Sequence, residues 1–367
     1  MKPIEMKLAR RLGGVGEYYF SKKLREIDRM RASGRQIINL GIGSPDRPPH
    51  PDVIGTLAAE AAKPGNHGYQ PYKGAAVLRE AFALWYKERY GVALDPEGEI
   101  LPLIGSKEGV MHVCMTYLDE GDRVLVPNPG YPTYRSAVTI AGGVCVDYVL
   151  REDGGWVPDF DEIERGGLQG VKMMIVNYPH MPTGAAPKEG LFRRLVDFAR
   201  RHGILLLHDN PYSFLRNDRP ESLLATPGAT EVALELNSLS KSHCMAGWRI
   251  GMIGGARERI DEIIRFKSNM DSGMFYPLQA AAAKALSLGD DWYRELNALY
   301  RRREAKAYEI LDAVGCTYDP VQAGLFVWGR LPEGAGDCYE FSDRVLNGCG
   351  VFLTPGGIFG SEGDRYI

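Results

Sequence analysis

A chain of 367 residues with 44% hydrophobic and 25% charged side chains is long enough for two units, or for one large α/β domain with a smaller one attached. Lys and Arg number 44 against 47 Asp and Glu, and the net charge of −3 excludes a global field that would recruit nucleic acid or an anionic membrane. No apolar run approaches the roughly 20 residues of a membrane span. The opening Met1-Lys2-Pro3-Ile4-Glu5 lacks the apolar core of a signal peptide. Cys114, Cys145, Cys244, Cys316, Cys338 and Cys349 show neither CxxC pairing nor zinc spacing, and most have apolar neighbours. Buried thiols, a reducing cytoplasm and no metal site are therefore expected.

The first 45 residues contain one amphipathic helix, about 19–30, and a short strand, 37–40. From about 100 to 255, β-branched runs alternate with amphipathic stretches. The runs 100–104, 123–126, 144–149, 171–176, 204–207, 232–236 and 250–253 read as strands. A helix is predicted over 107–118, where Val110, Val113, Cys114, Tyr117 and Leu118 fall on one face. Another is expected to begin at Pro187, a residue suited to the first helical position, and to stop at Gly203. Apolar strands separated by helices argue for a largely parallel sheet covered on both faces, with ligands collecting at the carboxyl ends of its strands. Past 255 the pattern turns to helices over 256–268, 276–288 and 290–314. A strand at 325–328, a helix at 338–346 and a strand at 351–353 complete a second α+β unit.

Four polar segments interrupt the apolar strands at their ends. Gly105-Ser106-Lys107 joins a strand to a helix, where the serine is expected to cap and the exposed N–H groups favour an anion. Pro129-Gly130-Tyr131-Pro132 puts an aromatic ring at a strand end, for stacking on a flat ligand or for core packing. His208-Asp209-Asn210-Pro211-Tyr212 closes a very apolar strand with a carboxylate, which is costly to bury unless paired. A protonated pyridine nitrogen would pair it, and Tyr212 would then reach the ring hydroxyl; the plainer reading makes Asp209 a helix cap. Ser238-Leu239-Ser240-Lys241, with Arg249 eight residues on, offers a lysine for an aldehyde cofactor, and a guanidinium and hydroxyls for its phosphate.

Taken in order, these segments resemble the fold type I pyridoxal-phosphate aminotransferases of class I/II. The likeness runs from about residue 40 to 367. It also rests on Leu40-Gly41-Ile42-Gly43-Ser44-Pro45-Asp46, on Gly68-Tyr69-Gln70-Pro71-Tyr72-Lys73-Gly74 and on Asn177-Tyr178-Pro179-His180-Met181-Pro182-Thr183-Gly184. The ending Thr354-Pro355-Gly356-Gly357-Ile358-Phe359-Gly360 matches as well. The resemblance implies a large cofactor domain with a mostly parallel sheet sandwiched by helices, over 46–265. A smaller α+β domain would come from both chain ends, 1–45 and 266–367. It implies Lys241 as the cofactor's covalent partner and proton carrier, Asp209 at the ring nitrogen, Tyr212 at the ring hydroxyl and Tyr131 stacked on the ring. Ser106, Lys107 (through its backbone), Ser238, Ser240 and Arg249 would surround the phosphate. Tyr69 would reach the phosphate of a neighbouring subunit, so a homodimer with shared sites is expected. Gly43, Tyr18 and Met181 would lie near the substrate.

Two positions depart from the family's pattern. The asparagine pair before Pro-Thr-Gly is here His180-Met181, and Met181 cannot donate to a ring hydroxyl. The family's arginine for the substrate carboxylate would fall one residue past Ile367, and Arg365 in a strand would face the opposite side. The expected activity is amino transfer between an L-amino acid and a 2-oxo acid in biosynthesis. The resemblance leans towards the branch of LL-diaminopimelate, alanine and aromatic aminotransferases, with an aromatic or broad range favoured. A pyridoxal-phosphate C–S (β) lyase is the alternative, since it would use the same Lys241, Asp209, Tyr212 and Arg249.

Overall fold

The computed structural model describes Ile4 and residues 6–367. Met1-Lys2-Pro3 and Glu5, read above as lacking a signal-peptide core, lie outside the described residues. The strands are β1 (Ile38–Asn39), β2 (Ile100–Leu103), β3 (Arg123–Asn128), β4 (Val144–Val149), β5 (Val171–Asn177), β6 (Leu205–Asp209), β7 (Ala233–Ser238), β8 (Gly251–Gly255) and β9 (Val351–Phe352). Seven of them form one sheet in the order β2-β8-β7-β6-β5-β3-β4. All neighbours from β4 to β7 are parallel, and β8 runs antiparallel to both β7 and β2. Strands β2, β3, β5, β6 and β7 therefore all point their carboxyl ends the same way. This is the mixed, mostly parallel α/β sheet the sequence predicts.

Alternation along each strand divides the core in two. Leu205 and Leu207 of β6 and Met173 and Ile175 of β5 face helices Ser106–Tyr117, Pro132–Ile140 and Arg257–Lys267, through Val113, Ala137 and Ile263. Leu206, Met174 and Val176 face the other way, onto helices Ala76–Tyr90, Leu191–His202 and Tyr276–Leu286. Each such fully buried aliphatic side chain contributes roughly 1.5–3 kcal/mol. The same parity sends Asp209 to the first face and His208 to the second.

The chain ends meet: β1 pairs in parallel with β9, and Ile27, Ile37, Leu346 and Phe352 close a small apolar cluster beneath them. Lys23 Nζ reaches Asp343 at 2.9 Å across this junction.

Two expectations need correction. The helix expected from Pro187 starts at Leu191, because Gly190 takes a left-handed φ of 76° as its N-cap. Residues 325–328 are not a strand. Trp328 gives its N–H to Gln322 Oε1 (2.8 Å) and accepts from Gln322 Nε2 (3.1 Å), so a side-chain amide replaces the ladder. Most of the cysteines are buried, as expected: Cys114, Cys244, Cys316 and Cys338 are, while Cys145 is half-buried and Cys349 exposed. Among the described residues no helix is long and apolar enough to cross a membrane.

Candidate active site

The loops leaving β2, β3, β5, β6 and β7 converge on one place. Ser238 ends β7 and caps the one-turn helix Leu239–Ser242, its Oγ accepting from Ser240 N at 3.2 Å. That turn holds Lys241, whose Nζ donates to the Gly43 carbonyl at 2.5 Å and so ties the N-terminal segment to the lysine. Burial, with added repulsion from Arg249, brings the Lys241 amine down to about 8. Arg249 has a left-handed φ of 58° and donates to Ser240 Oγ (3.3 Å), Ala246 O (2.9 Å) and Ile104 O (3.4 Å). The loop 104–106 passes so close to this guanidinium that a Cβ on Gly105, itself at φ 83°, would collide with it. The helix begins at Ser106 with Gly105 as its N-cap, and Ser106 makes no capping bond. This corrects the expected serine cap and leaves the Ser106 hydroxyl on the side of Asp209, whose carboxyl it helps to lower.

Asp209 ends β6 in register with Asn177 of β5 and is 5% exposed. Its Oδ2 accepts from the Tyr134 hydroxyl at 2.8 Å, while its Oδ1 is buried with no partner. Burial pushes the carboxyl up to about 6, against the opposing pull of Tyr134, His208 and Ser106. No helix follows, so Asp209 is not a cap. Asn177 steadies the place from below, donating to Asp209 O (2.6 Å) and accepting from Met181 N (2.8 Å).

The aromatic residues surround this carboxylate. Tyr212 packs edge-on to Phe326 and donates its hydroxyl to Met181 Sδ at 3.2 Å. Burial holds its phenol well above the usual range, with Asp209, Tyr131 and Tyr18 adding to the shift. Tyr131 is half-buried and edge-on to Tyr134, and Tyr18 lies with Lys107 Nζ 4.8 Å over its ring. His180 is turned away to Thr183 Oγ1 (2.9 Å), and burial brings its imidazole down to about 3. Tyr69 stands apart at 95% exposure, next to Gln70, which makes an isolated antiparallel bridge with Gly273. Arg365 spends its guanidinium on the carbonyls of Leu331, Pro332 and Gly336.

Tyr134 and Asn177 were not singled out from the sequence. Tyr134 sits three residues after Tyr131 at a helix start, so the shared face was the available signal. One further charged group lies behind the loop 104–106: Glu108, His112 and Asp271 bring ligand-type atoms within 4.8 Å of one another. The Lys267 ammonium, 2.5 Å from Asp271, supplies counter-charge there.

A flat ring carrying an aldehyde, a phosphate and a basic nitrogen fits these residues. The orphaned Asp209 Oδ1 wants a proton-bearing partner, and the exposed N–H groups at Ser106 and Lys107 with the Arg249 guanidinium want an anion. The family model described as "Aminotransferase class I and II" matches residues 35–365. The chain belongs to the class I and II aminotransferases. It is a pyridoxal-phosphate-dependent transaminase. Among curated relatives, the LL-diaminopimelate aminotransferase of Dehalococcoides mccartyi is 40% identical over 364 residues, covering 99% of this chain and 94% of the relative. That of Gloeobacter violaceus is 37% identical over 365 residues, with 99% and 93% covered. Among solved structures, substrate-bound BacF from Bacillus subtilis superposes with a TM-score of 0.94 at 34% identity, covering 99% of this aminotransferase and 92% of BacF.

Proposed function

We propose that this aminotransferase moves the amino group of an L-amino acid to a 2-oxo acid with Lys241, Asp209, Tyr212, Tyr131 and Arg249 in the roles their settings suit. The observation that carries the reading is the buried, partnerless Asp209 Oδ1 in a site that also holds a desolvated lysine. Pyridoxal phosphate, when bound, supplies the aldehyde that takes up the amino group and the ring that absorbs the electron pair left at Cα.

Arg249 and the first N–H groups of the helix Ser106–Tyr117, including that of Lys107, hold the phosphate, with the Ser106, Ser238 and Ser240 hydroxyls around it. The ionised Asp209 keeps a proton on the ring nitrogen. Tyr131 would cover the ring, and Tyr212 would give its hydroxyl to the ring oxygen. Lys241, its amine lowered to about 8 in the protein alone, has a neutral fraction near pH 7 of roughly a tenth and would be the group that carries the Cα proton. Gly43 meets Lys241 through its carbonyl, and with Tyr18 and Met181 it would border the substrate.

For the substrate we propose LL-diaminopimelate, hence a place in lysine biosynthesis, in preference to an aromatic or broad range. Relatives of that name at 37–40% identity over nearly the whole chain support it. The aromatic run Tyr18-Tyr19-Phe20 gives the other range little support, since Tyr19 is engaged with Tyr339 and Phe20 packs on the main core. A homodimer with Tyr69 crossing to its partner's phosphate is part of the same proposal, supported by the tyrosine's 95% exposure. So is the division into 1–45, 46–265 and 266–367. Packing of the helix Tyr276–Leu286 into the main core argues for moving the second boundary past 286.

The test is a panel of single amino acids against the yellow enzyme. LL-diaminopimelate should convert the cofactor to its amine form faster than tyrosine, phenylalanine or alanine. Faster conversion by an aromatic amino acid would overturn the substrate. Release of ammonia and pyruvate from a cysteine-type substrate, with the yellow form regenerated, would mark a C–S lyase instead.

A further inference from the structure

We propose that Tyr134 is a positioning residue for transamination, fixing both the direction and the basicity of Asp209; the inference rests on the role given to Asp209 above. Tyr134 lies in the first turn of the helix Pro132–Ile140 and is 1% exposed. Its hydroxyl makes the single hydrogen bond that the Asp209 carboxylate accepts among the described residues, at 2.8 Å to Oδ2. The ring alone is explained by packing, since Val124, Val126, Ala137 and Leu207 share its cluster. The hydroxyl is not, because a phenylalanine would fill the same space without placing a polar atom in it.

Two consequences follow from where that hydroxyl points. A carboxylate rotates easily about χ2, and tying Oδ2 to the helix aims Oδ1, buried and bare, in one direction. A donor bonded to the charged form also favours that form, so the bond opposes the burial that raises Asp209. Without it the carboxylate binds a proton more tightly, and a proton shared with a ring nitrogen shifts towards the oxygen. Tyr131 stands edge-on to Tyr134 at 5.5 Å, so the residue that orients the carboxylate also borders the proposed stacking ring.

The experiment compares wild type, Tyr134→Phe and Asp209→Ala as holoenzymes loaded with pyridoxal phosphate labelled with nitrogen-15 at the ring. In wild type the ring nitrogen should resonate at the protonated position. Tyr134→Phe should move it measurably towards the neutral position and lower kcat about ten- to a hundredfold, the loss of one hydrogen bond to a charged group, with KM changed less than about threefold. A purely structural role would lower the melting temperature and leave the nitrogen's position alone, and that outcome overturns the proposal. Wild-type nitrogen shift and kcat together overturn it too. The Asp209→Ala arm separates the two layers. If its nitrogen stays protonated, the role of Asp209 itself fails. If its nitrogen loses the proton while Tyr134→Phe behaves as wild type, only the inference about Tyr134 fails.

Discussion

Two buried carboxylates occupy adjacent strands of the sheet and are satisfied to opposite degrees. Glu235 of β7 is 0% exposed and accepts from Tyr86 OH (2.9 Å), Ser222 Oγ (2.8 Å), Leu223 N (2.8 Å) and Asn210 Nδ2 (3.4 Å), with His208 Nδ1 2.8 Å away. Asp209 of β6, on the other face, accepts one hydrogen bond and keeps a bare oxygen. A carboxylate surrounded by donors has its charge neutralised by the fold and serves to hold β6, β7 and the segment at 222–223 together. A carboxylate left short of donors is a cost to the apoprotein that a bound proton or a ligand carrying a donor can offset. Burial depth does not separate the two; the number of donors does.

The comparison breaks most visibly at the lysine beside Asp209. Lys241→Ala should abolish turnover and the borohydride-reducible cofactor adduct, and adduct retained on another lysine would remove the site from this loop. Asp209→Ala should slow turnover by about 10²–10⁴-fold while leaving the fold intact. Glu235→Ala should do the reverse. Stripping a carboxylate from four donors and a buried histidine should cost about 3–5 kcal/mol of stability, read in urea unfolding, with residual turnover in whatever remains folded. Equal destabilisation by the two substitutions would dissolve the contrast.

The contrast also has a pH signature in the apoprotein. Asp209 titrates near 6 when folded, against about 3.8 when unfolded, so the folded state binds the extra proton between those values. Stability is therefore lost as pH rises through that window, by about 3 kcal/mol in all. Asp209→Asn should remove the slope: apo wild type and variant should unfold alike near pH 4, and the variant should be the more stable at pH 8. A wild-type apoprotein equally stable at pH 4.5 and 7.5, once other groups are accounted for with the variant, would mean Asp209 is not desolvated.

The sheet was legible because apolar runs of β-branched residues have few other uses, and the expected strands fall within one or two residues of the observed ones. The ends of β3, β5, β6, β7 and β8 were read short. The ladder continues through Asn128, Asp209 and Ser238, polar residues that a hydrophobicity pattern discards and that lead directly into the site. Lys241 and Asp209 could be singled out because each is a polar residue where an apolar strand stops, and Arg249 because it follows Lys241 by eight residues at the entry to β8. The Tyr134–Asp209 bond could not, since it depends on the helix Pro132–Ile140 crossing β6 at one height. Nor could the Gln322 amide that takes over the backbone of Trp328, which imitates a strand in composition alone.

The smallest effect concerns Met181, which meets Tyr212 through its sulfur. The Tyr212 hydroxyl has its hydrogen on the Met181 sulfur, a weak acceptor, at 3.2 Å. That bond is easily given up, so Tyr212 can turn to a ring oxygen at little cost, but the sulfur offers that oxygen no donor of its own. Met181→Asn would bring an amide donor to the same place. A second hydrogen bond to an oxygen favours its anionic form, and the pH midpoint of the yellow cofactor absorbance should fall by about 0.5–1 unit. Tyr212→Phe should raise it, and the double variant should depart from additivity, because both groups address one atom. An unchanged midpoint in Met181→Asn would place residue 181 off the ring, with its contact to Tyr212 serving packing alone.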